Sequence, residues 1–309
     1  MTEMTPRDRV MAVMTRNGVN PDRPPCFTVD STATYDQMKA MDARWPAALT
    51  DAALMARLAL GAHAVLGFDA VRVPFCQTTE AEALGCALKG VADDNVPSVR
   101  PHPAYKLGDP FPVPDDFLSR GRIPATVEAV KILKREVGNR AAVIGGVIGP
   151  FSLAASIVGT TTALKESWVR PHNLRPVLEA SAEAARRLAA EMVAAGADII
   201  CVEDMLATTD MISPKTFNSL ILSYEKELFG AISVPTVLHI CGDVTPIAED
   251  MAATGATALS YEPKSDTATM RQKVGPDVVL VCGADAATTL FTGTPEQVEA
   301  VCLASLEAG

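Results

Sequence analysis

One unit recurs along the chain and most restricts its fold: an amphipathic helical stretch, a glycine with small residues, then a short β-rich run ending in polar or charged residues. In "ASAEAARRLAAEMVAAGADIICVED" an Ala- and Leu-rich helix gives way at Gly196 to "DIICVE". Glycine there suits the left-handed cap that ends a helix. The same unit is legible in "MARLALGAHAVLGFDAVRVPF", "AVKILKREVGNRAAVIGGVIGP", "SYEKELFGAISVPTVLHICGD", "IAEDMAATGATALSYEP" and "TMRQKVGPDVVLVCGAD". With "PPCFTVD" near the start, candidate strands fall at about 25–29, 69–74, 142–148, 198–203, 235–240, 257–262 and 278–282. They are near-continuous apolar runs, as parallel strands covered on both faces require. Helix and strand alternating in this way means βα units, and the expected fold is an α/β (β/α)8 TIM barrel.

Those runs leave the eighth strand of the barrel missing or truncated in this chain. The final stretch "TPEQVEAVCLASLEAG" reads as a capped helix, with Thr294 as N-cap, Pro295 at the first helical position and Gly309 as C-cap. Residues 1–309 are expected to form a single barrel domain. The Pro-rich stretch at about 86–124 interrupts the pattern and reads as an inserted loop over one barrel end, because it has no apolar core of its own.

The formal charge of −10 provides no Lys/Arg excess to displace counterions from a phosphate backbone or to hold an anionic bilayer, so no nucleic-acid or membrane partner is expected. The N-terminus has no uninterrupted apolar segment, and no run of about 18 apolar residues occurs, which points to a cytoplasmic protein. Seven cysteines, odd in number and scattered, do not form a disulfide framework.

In "VPTVLHICGD" His239 and Cys241 stand two positions apart at the C-terminal end of the fifth candidate strand, the end where barrel enzymes place reactive groups. Residues i and i+2 of a strand project to one side, so both side chains can reach one atom. Zn²⁺ fits such a nitrogen and thiolate pair. Glu262 ends the next strand and Cys282 the one after, giving a candidate set of His239, Cys241, Glu262 and Cys282. Two readings stay open at this point: a metal site, or a hydrogen-bonded structural histidine beside an inert thiol.

The chain resembles the uroporphyrinogen decarboxylase superfamily, and within it the methylcobamide:coenzyme M methyltransferases. The resemblance runs through "TPRDRVMAVM", "PPCFTVDSTATYDQM", "GFDAVRVPFCQTTEAEALGC", "GRIPATVEAVKIL", "GPFSLAASIVGT", "GADIICVEDML", "PTVLHICGDVTPI", "ALSYEPK" and "GTPEQV". It implies that His239 and Cys241 are zinc ligands and that Glu262 is a catalytic carboxylate occupying a metal position until a thiol displaces it. The third permanent ligand of that family, a Cys on the eighth strand, would lie beyond Gly309. The resemblance also implies methyl transfer from a methylated corrinoid protein to the thiol of coenzyme M, in methanogenesis from methyl compounds.

For the substrate, Arg72 is a candidate to hold the sulfonate of coenzyme M, or else is paired with a barrel carboxylate. Glu80, Glu203, Asp204 and Asp243 are candidate partners for substrate or His239, or else salt bridges and helix caps. Gly242 and Gly283 are expected to let the corrinoid approach closely. A corrinoid:tetrahydrofolate methyltransferase and a non-catalytic form binding corrinoid protein or thiol are the alternative readings. Uroporphyrinogen decarboxylase itself is disfavoured, because "PDRPPCFTVDSTATYDQM" lacks the basic cluster a polycarboxylate substrate needs.

Overall fold

The structure is a computed structural model that describes residues 3–90, 92 and 95–309. Its centre is a six-stranded parallel sheet. The strands in chain order are β1 (Ala70–Val73), β4 (Ala142–Ile148), β5 (Ile199–Glu203), β6 (Thr236–His239), β7 (Ala258–Ser260) and β8 (Val279–Val281), each hydrogen-bonded to the next. The two short strands between them, β2 (Leu88–Lys89) and β3 (Ser98–Val99), form an antiparallel hairpin inside the Pro-rich insertion. Val91, Asp93 and Asp94 of that insertion lie outside the described residues.

Pleating divides each strand between two environments. Ala70, Ile144, Ile199, Cys201, Val237 and Ala258 point inward and cluster with Val10 and Met14 of the helix Pro6–Thr15, which plugs the N-terminal end. The alternate residues, among them Val71, Val143, Val202 and Leu238, pack outward with Leu133, Leu188 and Met192 of the surrounding helices. Each fully buried aliphatic side chain stabilises the fold by about 1.5–3 kcal/mol. Both faces are thus dry along β1 and β4 to β7, which is why those strands read as unbroken apolar runs, while β8 is half-buried.

Polar groups cap the two ends of the sheet differently. At the N-terminal end Asp69 accepts hydrogen bonds from Arg9 (2.6 Å), Arg23 (2.8 and 2.9 Å) and the Cys26 amide (2.7 Å). Asp198 accepts from Arg7 (2.8 Å), Lys134 (2.7 Å) and the Val143 amide (3.0 Å). These carboxylates tie chain segments together at the barrel floor, the end of a barrel that serves stability rather than catalysis.

The first candidate strand is corrected. Residues 25–29 run without a ladder, joined to β1's entrance by one backbone bond, Asp69 N to Cys26 O at 2.8 Å. Pro24 and Pro25 have no amide to donate, and the Cys26 amide is taken by the Asp69 side chain. The expected terminal helix is present as Pro295–Ala308, with Thr294 in a capping box and Gly309 at the C-cap. Gly196 follows the helix Arg175–Ala194 with φ of +107°, and the Ala197 amide returns to the Met192 carbonyl at 3.0 Å. Among the described residues, no helix is long and apolar enough to cross a membrane.

Candidate functional site

Two residues beyond the inward-facing 70, 201, 237 and 258, the same pleat presents Arg72, Glu203, His239 and Ser260. All four are buried, and together they form a polar layer at the C-terminal end of the barrel. Register places Glu203 beside His239 and His239 beside Ser260. His239 Nδ1 is hydrogen-bonded to Ser260 Oγ at 2.9 Å, which orients the ring and leaves Nε2 facing Cys241 Sγ at 3.2 Å. Such a partner on one ring nitrogen is how proteins orient a histidine that binds metal through the other. Asp30 Oδ1 is 3.3 Å from the same Nε2.

Cys241 follows the strand in a turn that needs glycine next. Gly242 has φ of +77°, and a Cβ on it would stand 2.6 Å from Thr208 Oγ1 and 2.5 Å from Asp210 Oδ2. The missing side chain therefore admits the 208–210 loop. A Cβ on Gly283 would meet nothing within 4 Å. The Gly242 amide donates to Glu262 Oε2 at 3.0 Å, which holds this carboxylate beside Cys241.

Burial first, then the charges of Glu262, Asp30 and Glu203, push the Cys241 thiol up to about 12. Without a cation this sulfur is a neutral thiol at physiological pH. Glu203 is neutralised by Arg72, which leaves Glu262 and Asp30 as the unbalanced carboxylates beside the His and Cys pair, a surrounding suited to a cation. Among the described residues no three His, Cys, Asp or Glu side chains converge as a ready-made metal site. The His239 and Cys241 donors still fit zinc: bonds of about 2.1 and about 2.3 Å at a tetrahedral angle separate nitrogen and sulfur by about 3.6 Å, close to the 3.2 Å found.

The other candidates are placed as follows. Cys282 has its contacts with Thr267 Oγ1 (3.6 Å), the Gly283 carbonyl and Tyr261 rather than with His239. Arg72 donates to Glu203 Oε2 at 2.5 Å and to the Pro74 carbonyl, and its buried guanidinium lies across Gly146, where a Cβ would be 2.1 Å from Nη2. In this structure Arg72 has the barrel pairing of its two expected roles. Asp204 accepts from the Phe151 and Ser152 amides at 3.0 and 2.7 Å, satisfying the start of the helix Pro150–Val158. Asp243 accepts from the Thr245 amide at 3.0 Å and caps its own turn. Sequence reasoning missed Asp30 and Ser260.

Glu80 accepts from the Ile148 amide at 2.8 Å and is fully buried, and burial raises it to about 7 from 4.5. A raised folded value means that its contribution to stability is complete below about pH 4.5 and is lost as pH climbs through 7. Above pH 7 the ionised form costs about 3 kcal/mol. Glu80→Gln keeps an acceptor for Ile148 and cannot ionise. Urea unfolding should show it more stable than wild type at pH 8 and much less so at pH 5; an equal difference at both would refute this account.

On the C-terminal side, Ser31, Gln77, Thr78 and Thr160 join Val96 and Ser98 of the insertion around a cavity of about 500 Å³. Ser31 also donates to Glu203 through its amide (3.2 Å) and hydroxyl (2.7 Å), so this cavity adjoins the polar layer.

A barrel with its polar side chains gathered at the C-terminal end, beside a cavity, has the layout of an enzyme. Residues 5–309 match the family model described as uroporphyrinogen decarboxylase (URO-D). The chain is 37% identical over 310 residues to methylcobamide:CoM methyltransferase MtaA of Methanosarcina barkeri, covering 100% of this chain and 91% of that protein. It is 37% identical over 317 residues to methylcobamide:CoM methyltransferase MtbA of Methanosarcina mazei, again covering 100% and 91%. A solved methyltransferase from Methanosarcina mazei superposes with a TM-score of 0.93 at 35% identity, over 99% of this chain and 91% of that one. The chain belongs to the uroporphyrinogen decarboxylase family, in its methylcobamide:CoM methyltransferase branch. Its enzyme class is methyltransferase.

Proposed function

We propose that this enzyme moves a methyl group from a methylated corrinoid protein to the thiol of coenzyme M, with Zn²⁺ held by His239 and Cys241, in methanogenesis from methyl compounds. The observation that carries the reading is the Ser260-oriented His239 with Nε2 3.2 Å from Cys241 Sγ, in a chain whose relatives bear the methylcobamide:CoM name. Zinc, when bound, supplies Lewis acidity that turns a thiol of pKa about 8.5 into a thiolate at neutral pH.

The chain's own groups do the rest. Ser260 sets the ring so that Nε2 faces the donor position. Glu262 fills the space beside Cys241 and has the Gly242 amide to retain it when a substrate sulfur takes its place. The sulfur then attacks the methyl carbon; the carbon–cobalt bond breaks with its electron pair left on cobalt, giving the methyl thioether and Co(I). The buried polar layer is preorganised by its strand hydrogen bonds, so little rearrangement is required.

Metal analysis of the purified protein should find about one zinc per chain, and methyl transfer from methylcobalamin should go to coenzyme M and not to tetrahydrofolate. Full activity in a zinc-free preparation would sink the zinc reading. Transfer to tetrahydrofolate alone would identify the other acceptor, and transfer to neither a binding-only protein.

A further inference from the structure

We propose that Cys76 is a modification site, a thiolate held by Arg122 on the wall of the cavity and open to small oxidants of the peroxide class. The inference does not depend on zinc or on coenzyme M. Cys76 follows the end of β1 by three residues, and with Gln77 and Thr78 it lines the cavity of about 500 Å³. Arg122 reaches it from the N-cap of the helix Ile123–Val137, 46 residues along the chain. Its Nη1 donates to Cys76 Sγ at 2.9 Å, Nη2 to Thr78 Oγ1 at 2.7 Å and Nε to Glu82 Oε2 at 2.6 Å. The guanidinium is thereby fixed on the sulfur, and the Thr78 hydroxyl donates to the same sulfur at 3.5 Å.

A cationic donor this close favours the anion of sulfur, the form that acts as a nucleophile. Two acids compete for the charge. The Glu82 side chain is 27% exposed against 7% for Arg122, so this carboxylate shares its charge with water while the guanidinium does not. Glu80 is fully buried, and burial, which raises it to about 7, keeps it largely neutral below that pH. Cys86 and Cys201 are as buried as Cys76, and among the described residues neither sulfur has a cationic donor. Burial accordingly pushes Cys86 up to about 11 and Cys201 well above the usual thiol range. The step is a two-electron oxidation: the Cys76 thiolate attacks one oxygen of hydrogen peroxide, an S–O bond forms as the O–O bond breaks, and hydroxide leaves with the electron pair, giving Cys–SOH. Arg122 and Thr78 stand ready to donate to the new oxygen.

The test uses the full chain, hydrogen peroxide and a cyclic diketone that traps sulfenic acids, with tandem mass spectrometry to place the label. In the wild type at neutral pH, Cys76 should be trapped about tenfold faster than Cys86 and Cys201, or more. Arg122→Gln removes the cation but keeps an amide donor. It should bring Cys76 down toward the rate of those two controls, while the exposed Cys26 is labelled as in wild type. Trapping of Cys76 no faster than that of Cys86 and Cys201 overturns the inference, and this comparison is made within the wild type, whatever the fold of the variant. Equal rates for Cys76 in wild type and Arg122→Gln overturn it too, because access through the cavity alone would then account for the labelling.

Discussion

Cys241→Ala and His239→Ala should each remove bound zinc and lower methyl transfer to coenzyme M by about a thousandfold or more, an effect of about 4 kcal/mol on the barrier. The loss should come without unfolding. Cys241 lies partly exposed beyond the end of β6, and its removal leaves little void. His239 is buried and its removal leaves Ser260 without its partner, which costs about 1–3 kcal/mol of stability. Activity with the free thiol should therefore collapse in both variants while thermal melting falls modestly in one and barely in the other. Two measurements separate the outcomes: zinc content by atomic emission, and melting followed by circular dichroism. Variants that keep both zinc and turnover would show that His239 and Cys241 are structural, as an H-x-C pair on a barrel strand can be.

How far the sequence carries depends on which force acts at each point. Strands β1 and β4 to β7 are legible because burial on both faces leaves unbroken apolar runs, β8 because its half-buried run is apolar too, and the capped helix Pro295–Ala308 because Thr294, Pro295 and Gly309 act locally. The stretch 25–29 carries the same apolar signature, yet its pairing fails on two prolines and on a side chain, Asp69, 43 residues away along the chain. The π-helical turn Phe217–Ile221 leaves no local mark either. That His239, Cys241 and Glu262 lie together was legible because strand ends and a period of two are sequence properties. Asp30 obeys the same strand-end rule in "PPCFTVD" and was within reach. Ser260 was not: its role depends on the β6–β7 register that sets it beside His239. Arg72 was left between two roles for the same reason, since a partner on β5 becomes visible once β1, β4 and β5 are ordered in the sheet.

That partnership makes the second large prediction. Arg72 and Glu203 bury all but 4% and 1% of their side chains, and Glu203 is otherwise bonded to Ser31. Taking both charges out of water is costly, so the pair adds little net stability. Removing one partner is another matter: Arg72→Met keeps much of the volume but strands a carboxylate in the polar layer beside His239. The expected loss is about 3–5 kcal/mol, or a fall in melting temperature of about 6 °C for a chain of this size. The double variant Arg72→Met/Glu203→Gln should recover most of it, because the stranded charge is gone and Ser31 retains an acceptor. If Arg72 instead served chiefly to grip substrate, the single variant would melt like wild type and show its defect as a raised KM for coenzyme M. Melting and KM measured on the same three proteins thus decide whether this arginine holds the barrel's polar layer together or belongs to the substrate.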